Sequence, residues 1–218
     1  MTWIKICGTT NLEDALTAVG AGADALGFVF YEKSPRNIDA ESAQEIVKKL
    51  APTIEKVGVF VNQPVETILK TVAHAGLTAV QLHGAECREP EYIRALKARQ
   101  DLKVFLVVSA SEISGGLNWN ENGESGISAV FFDSGTPQRP GGTGETFDWK
   151  AAASGVQAIS ERLRVVVAGG LNSSNVADAI RILKPWGVDV VSGVEARPGK
   201  KDPQKVRAFI DRVRKIEE

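Results

Sequence analysis

The chain is poor in the residues that carry metal and disulfide chemistry, with two cysteines and two histidines in 218 residues. Two thiols do not make a disulfide framework. No histidine or cysteine cluster has metal-ligand spacing, and no redox-cofactor motif is present. Also missing are a secretory signal and any apolar stretch near the ~20 residues that a bilayer span needs. Charge of one sign is missing as well: 26 basic residues meet 27 acidic ones for a net charge of −1. No global field therefore recruits nucleic acid or a membrane surface, and any anion site must be local. What remains is 43% apolar and 24% charged, an ordinary globular balance that excludes disorder. The expectation is a cytoplasmic, reduced protein whose residues 1–218 form a single domain.

Eight short β-branched or aromatic runs recur along the chain: Trp3–Cys7, Ala25–Phe30, Lys56–Val61, Ala79–Leu82, Val104–Val108, Ala129–Phe132, Val165–Ala168 and Val188–Val191. Their spacing is close to the ~30 residues of a strand–helix–strand unit. They are almost continuously apolar, the pattern of parallel strands buried on both faces. Between most of them lie segments with helical period and helix punctuation. Leu12, Ala15, Leu16 and Val19 form one face behind a cap at Asn11, and Ala43, Ile46, Val47 and Leu50 another behind Asp39. Pro64 opens a third helix that Gly76 closes. Val176, Ala179, Ile180 and Leu183 follow a cap region at Asn172–Ser174, and Asp202-Pro203 starts the last helix. Eight units ending on a helix, with no G-x-G-x-x-G after the first strand, predict a (β/α)8 barrel of parallel strands rather than an open dinucleotide-binding sheet. The fifth unit is degenerate, because Ser111–Gly126 is rich in Gly, Asn and Ser.

In such barrels the chemistry sits where strands run into their following loops. Those junctions hold one thiol (Cys7), one imidazole (His83), one carboxylate emerging from an apolar run (Asp133) and one arginine behind a proline (Arg36). Cysteine is often just a small buried hydrophobe, but a thiol at the strand mouth can act as a general base once a cation or helix terminus lowers its pKa. A partly buried Asp133 can keep a proton and act as an acid. His83 is expected among the substrate-binding residues, as a general acid or base or, the reading preferred, as a hydrogen-bonding wall residue. Arg36 offers a planar fork to a carboxylate or a phosphate. Gly169-Gly170 after strand seven and Ser192-Gly193 after strand eight suit a phosphate, since glycine lets backbone N–H groups approach an anion. Glu195 and Arg197 are close enough in sequence to pair. Cys87 is expected to be structural and His74 to lie at the surface. The glycine-rich loop Gly135–Gly144, with Arg139, is a candidate lid.

The residues resemble a known family. Lys5-Ile6-Cys7-Gly8-Thr9-Thr10, Gly27-Phe28-Val29-Phe30 with Ser34-Pro35-Arg36, and Gly58-Val59-Phe60-Val61-Asn62 resemble phosphoribosylanthranilate isomerase. So do Val80-Gln81-Leu82-His83-Gly84, Phe132-Asp133-Ser134, Gly141-Gly142-Thr143-Gly144 with Phe147-Asp148-Trp149, Ala168-Gly169-Gly170-Leu171 and Asp189-Val190-Val191-Ser192-Gly193-Val194-Glu195. The series runs the length of the chain in the family's order. The resemblance implies a cofactor-free Amadori rearrangement of N-(5-phosphoribosyl)anthranilate to 1-(2-carboxyphenylamino)-1-deoxyribulose 5-phosphate in tryptophan biosynthesis. It implies Asp133 as the general acid at the ring oxygen and Cys7 as the general base at C2. Arg36 would take the anthranilate carboxylate, with phosphate on the Gly169-Gly170 and Ser192-Gly193 backbones. The acid and the base are expected to face each other from strands one and six.

Two rivals remain at this stage. A related phosphosugar isomerase of histidine biosynthesis would share the barrel, but such enzymes resemble each other in using an aspartate where this chain has Cys7. A barrel that binds a phosphorylated ligand without turning it over is the other. The family includes monomers and dimers, which leaves open a homodimer or an association with the next enzyme of the pathway.

Overall fold

Each of the eight apolar runs becomes a strand, and each strand pairs in parallel with its sequence neighbours. The computed structural model describes residues 1–99, 101–109, 126–134 and 146–216. The strands are β1 (Trp3–Ile6), β2 (Ala25–Val29), β3 (Glu55–Val61), β4 (Ala79–His83), β5 (Lys103–Ser109), β6 (Ala129–Asp133), β7 (Val165–Val167) and β8 (Gly187–Val190). Pairing of Trp3, Ile4, Lys5 and Ile6 with Gly187, Val188, Asp189 and Val190 closes β8 onto β1, so the sheet is a closed barrel. The expected strand bounds hold to within about one residue. The expected degenerate unit at 111–126 and the Gly135–Gly144 loop fall almost wholly outside the described residues.

Side chains alternate between the two faces of a strand, and here the two faces have different compositions. Outward residues such as Ile4, Ile6, Leu26, Phe28, Leu82, Phe132 and Val190 join the layer between barrel and helices. Burial of each large side chain there is worth about 1.5–3 kcal/mol. Inward residues change character along the barrel axis. At the N-terminal ends of the strands they are apolar: Ala25, Val57, Ala79, Phe105, Ala129 and Phe131, capped by Trp3 and Trp186. Toward the C-terminal ends the same alternation delivers Lys5, Gln81, His83, Asp133 and Asp189, all buried.

Seven α-helices among the described residues surround the barrel: α1 (Leu12–Ala21), α2 (Ala40–Val47), α3 (Val65–Ala75), α4 (Pro90–Lys97), α5 (Trp149–Ser160), α6 (Val176–Leu183) and α7 (Pro203–Arg214). Caps fall where the sequence marks them. Asn11 and Asp39 accept from the backbone N–H groups of Asp14 and Ser42, and Asp202 accepts from those of Gln204 and Lys205. Gly76 ends α3 in the left-handed region at φ 72°.

Three expectations need correction. Helix α1 buries Asp14, Ala15 and Ala18, while Leu12 and Leu16 stand exposed. The cause is Asp14, whose carboxylate takes the Lys201 backbone N–H and the Lys200 ammonium, each at 2.7 Å, and thereby sets the helix's rotation. Helix α6 has its N-cap at Asn175, one residue after the expected cap region, and Asn175 makes no side-chain cap. Its amide instead accepts from Asn172 N–H and donates to the Gly170 carbonyl, bracing the loop after β7. Finally, β6 lies three strands from β1 through β8 and β7, so Cys7 and Asp133 do not sit on diametrically opposite strands. In an eight-strand ring that place belongs to β5.

A short hairpin follows β8: β9 (Glu195–Arg197) pairs antiparallel with β10 (Lys200–Lys201). It carries Lys201 beneath the end of β1.

Candidate active site

Cys7 follows directly on β1 and points into the barrel, with only 4% of its surface exposed. Two residues earlier on the same face is Lys5, fully buried, whose Nζ donates to Asp189 Oδ1 at 2.9 Å. Gly27 on β2 makes room for both, since a Cβ there would come within 2.5 Å of Cys7 Sγ and 3.0 Å of Lys5 Cε. Burial pushes the Cys7 thiol above its ordinary value, and the Lys5 ammonium pulls the other way. Burial also opposes the charge on Lys5, but the Asp189 carboxylate and the Cys7 sulfur outweigh it and hold the ammonium protonated. Lys201 closes this end: its Nζ donates to the Cys7 carbonyl at 2.6 Å and to the Val191 carbonyl at 3.4 Å.

Gly8, in the left-handed region at φ +77°, lets a second cation cross the mouth. A Cβ there would lie 2.8 Å from Arg36 Cδ, so the arginine stem runs directly over the residue after the thiol. The guanidinium is held in a fork by Glu195, from Nε to Oε1 at 2.9 Å and from Nη2 to Oε2 at 2.8 Å. Glu195 therefore does not pair with its sequence neighbour Arg197, as the sequence suggested; it serves Arg36, Lys201 and the Gly199 N–H. Burial disfavours the Glu195 carboxylate, yet Arg36 and Lys201 overcome this and hold its pKa below the ordinary value. Nη1 is the corner of Arg36 that this fork does not use.

Asp133 ends β6 with its side chain inward, 8% exposed. It lines one pocket with Ala168, Gly169, Gly170, Leu171, Asp189, Val191 and Ser192. The glycines are there for space as well as for φ. A Cβ on Gly169 would meet Ser134 Oγ at 2.4 Å, and one on Gly193 would meet the Leu171 carbonyl at 1.9 Å. The loops after β7 and β8 are thus packed backbone against backbone beside the carboxylate.

His83 ends β4 on the inner face, with its Nε2 3.3 Å from the Gln81 amide nitrogen. Burial pulls its pKa down to about 4, with the Lys5 charge adding to the effect, so the imidazole is neutral near pH 7. Cys87 is buried in a short turn, Glu86–Arg88, with its thiol against the His83 carbonyl at 3.7 Å; His74 is exposed.

The structure brings Cys7, Arg36, His83, Asp133 and the two glycine loops to one end of the barrel. Sequence reasoning missed Lys5, Gln81, Asp189 and Lys201 as members of the same site. The signal was available: each of the first three interrupts an otherwise apolar parallel strand, where a charge or amide needs a reason.

The model of the family described as N-(5'phosphoribosyl)anthranilate (PRA) isomerase matches residues 4–212. The chain is 47% identical to the N-(5'-phosphoribosyl)anthranilate isomerase of Pelobacter propionicus, over 96% of this chain and 94% of that one. A solved phosphoribosyl anthranilate isomerase from Thermotoga maritima, an enzyme also described as dimeric, is 42% identical, with a TM-score of 0.85 over 99% of this chain and all of that one. A phosphoribosyl anthranilate isomerase in complex with reduced 1-(o-carboxyphenylamino)-1-deoxyribulose 5-phosphate is 40% identical, with a TM-score of 0.82 over 99% of this chain and 100% of that one. The barrel, its order of strand-end residues and these matches agree over nearly the whole length, and the chain belongs to the phosphoribosylanthranilate isomerase family.

Proposed function

We propose that the family's rearrangement of N-(5-phosphoribosyl)anthranilate takes place at this mouth with Asp133 as acid and Cys7 as base. The observation that carries the assignment is the pocket Asp133 shares with the Gly169-Gly170 and Ser192 backbones, on the barrel end where Cys7 also opens. Phosphate on the two glycine loops anchors the substrate away from its reacting carbons, and that remote binding can be spent on orientation. Asp133 then protonates the furanose ring oxygen, and the C1–O bond breaks to give a Schiff base. Cys7, as thiolate, takes the proton from C2. The electron pair left behind forms the enolamine, which tautomerises to the aminoketose. Nothing is gained or lost overall, as an isomerisation requires.

Arg36 receives the anthranilate carboxylate, with Nη1 the corner left by the Glu195 fork. His83, neutral, walls the site next to Gln81. The oligomeric reading follows the Thermotoga relative: a homodimer, with association with the next tryptophan-pathway enzyme as the alternative. Two free cysteines suit a cytoplasmic setting, and no described helix is long and apolar enough to cross a membrane.

The test follows the fluorescence of freshly generated phosphoribosylanthranilate with the purified protein and no added metal. Rapid loss that disappears in Asp133→Asn supports the isomerase and its acid together. Binding of a phosphate analogue without turnover would overturn the assignment and leave a ligand-binding barrel.

A further inference from the structure

Cys7 must be a thiolate to accept a carbon-bound proton, yet it lies in a barrel interior where burial favours the neutral thiol. Directly below it is a lysine with no exposed surface, a costly place for a cation unless the charge is used or paired. Cys7, directly after β1, stands two residues on from Lys5, and both side chains enter the barrel on one face. Asp189, the register neighbour of Lys5 on β8, accepts from Nζ at 2.9 Å and fixes the ammonium. The empty side-chain position of Gly27 is where the two groups converge, since a Cβ there would lie 2.5 Å from Cys7 Sγ and 3.0 Å from Lys5 Cε, and the ammonium pulls the thiol's pKa down.

We propose that Lys5 is a positioning residue for this site: its ammonium, anchored by Asp189, lies against Cys7 Sγ and stabilises the thiolate that takes the C2 proton. The inference rests on Cys7 being the base. The thiol proton leaves to water through the mouth before the reaction. In the reaction, the C2 proton passes to sulfur, and Lys5 keeps all three of its own. The neighbouring charges come from every side. Asp189 opposes the thiolate, while Lys201 from β10 and Arg36 from the loop after β2 favour it. Glu195 neutralises part of those two cations, His83 on β4 is uncharged, and Asp133 on β6 shares a pocket with Asp189. Of the three cations, Lys5 is the one that shares the inner face of β1's line with the sulfur, two residues before it and with no exposed surface.

The experiment measures the rate of iodoacetamide alkylation at Cys7 against pH, resolved from Cys87 by peptide mass, beside the pH profile of kcat/KM. In Lys5→Met the alkylation midpoint should move to higher pH by about one unit or more, leaving roughly tenfold less thiolate near neutrality. The kcat should fall by a similar factor and recover as pH rises, with KM little changed. An unmoved midpoint would overturn the proposal. Because Lys5→Met leaves a buried carboxylate without its partner and can fail to fold, the double variant Lys5→Met/Asp189→Asn provides a second arm. Removing the ammonium together with its anchor should still move the midpoint to higher pH, and a fall or no movement would count against the role. Full turnover in Cys7→Ser would sink the base assignment and this role with it. A dead Cys7→Ser with an unmoved midpoint in Lys5→Met would sink this inference alone.

Discussion

The two ends of the barrel interior are built from the same strands and obey opposite rules. At the N-terminal end, Trp3 stacks on Trp186 with ring centroids 5.0 Å apart, and its edge meets Phe105 and Phe131 at 6.1 and 6.2 Å. Phe105 and Phe131 lie 5.4 Å from each other, and small residues, Ala25, Ala79 and Ala129, fill between them. At the C-terminal end, β1, β4, β6 and β8 give Lys5, Cys7, Gln81, His83, Asp133 and Asp189. One step along each strand separates a packed aromatic plug from a cluster of buried charge. The first end gains from buried apolar and aromatic area. The second sacrifices such packing to hold charges where a reacting substrate needs them. The division teaches that stability and chemistry are separated along the barrel axis rather than around it, and each prediction below tests how clean that separation is.

The largest effect belongs to the mouth. Cys7→Ser or Asp133→Asn should lower kcat by ~10²–10⁴-fold, the range that positioned acid–base groups supply. Circular dichroism and the unfolding midpoint should stay close to those of the parent. A variant that loses activity by unfolding would instead show that the mouth also carries the fold.

Phe105→Ala addresses the plug. Phe105 is buried at that end, and truncating a buried Phe costs about 3–5 kcal/mol. Urea unfolding should show that loss, while kcat per folded molecule remains near the parent's. A fall in kcat in the folded fraction would mean that the plug positions the site.

The third prediction is an acid limit set by His83. Its folded-state pKa lies near 4, against an ordinary 6.5. As pH falls below 6.5 the unfolded chain takes up a proton that the folded chain refuses, so stability declines until the pH nears 4. The loss by pH 5 is about 2 kcal/mol. In His83→Gln that part of the slope should vanish, which urea unfolding at a series of pH values would reveal. An unchanged slope would show that the imidazole titrates freely and that the mouth is wetter than its burial suggests.

Much of this was legible in the sequence, and the rest was hidden for physical reasons. Apolar runs flanked by Asn11, Asp39, Gly76 and Asp202-Pro203 mark strands and helices because caps and breakers act locally. Strand ends then expose Cys7, Asp133 and the glycine loops. What local pattern cannot say is which parity of a doubly buried strand faces inward, since both faces are apolar. Lys5 and Asp189 therefore read as parts of motifs and not as a pair across 184 residues. The fork between Arg36 and Glu195 spans 159 residues and displaced the local pairing with Arg197. Leu12 and Leu16 have helical spacing with Ala15, but one carboxylate on the neighbouring face, Asp14, decided the rotation of α1.

The smallest expected effect is also at the plug. Trp186 is half-buried, stacked on Trp3 at an interplanar angle of 23°, with the Arg164 guanidinium 4.8 Å from its ring centre. Trp186→Leu keeps an apolar residue at the barrel floor but removes the stacking and the cation–π contact, each worth about 0.5–1.5 kcal/mol in such settings. The variant should lose about 1 kcal/mol in urea unfolding, well short of Phe105→Ala, because leucine still covers part of Trp3. Turnover and the alkylation midpoint of Cys7 should not move, since Lys5 and its carboxylate lie between the floor and the thiol. Should that midpoint shift, the floor would be acting on the charge cluster through Phe131, which lies against both Trp3 and the Lys5 ammonium. The two ends would then be one coupled stack, with the aromatic plug setting the height at which the lysine meets the sulfur.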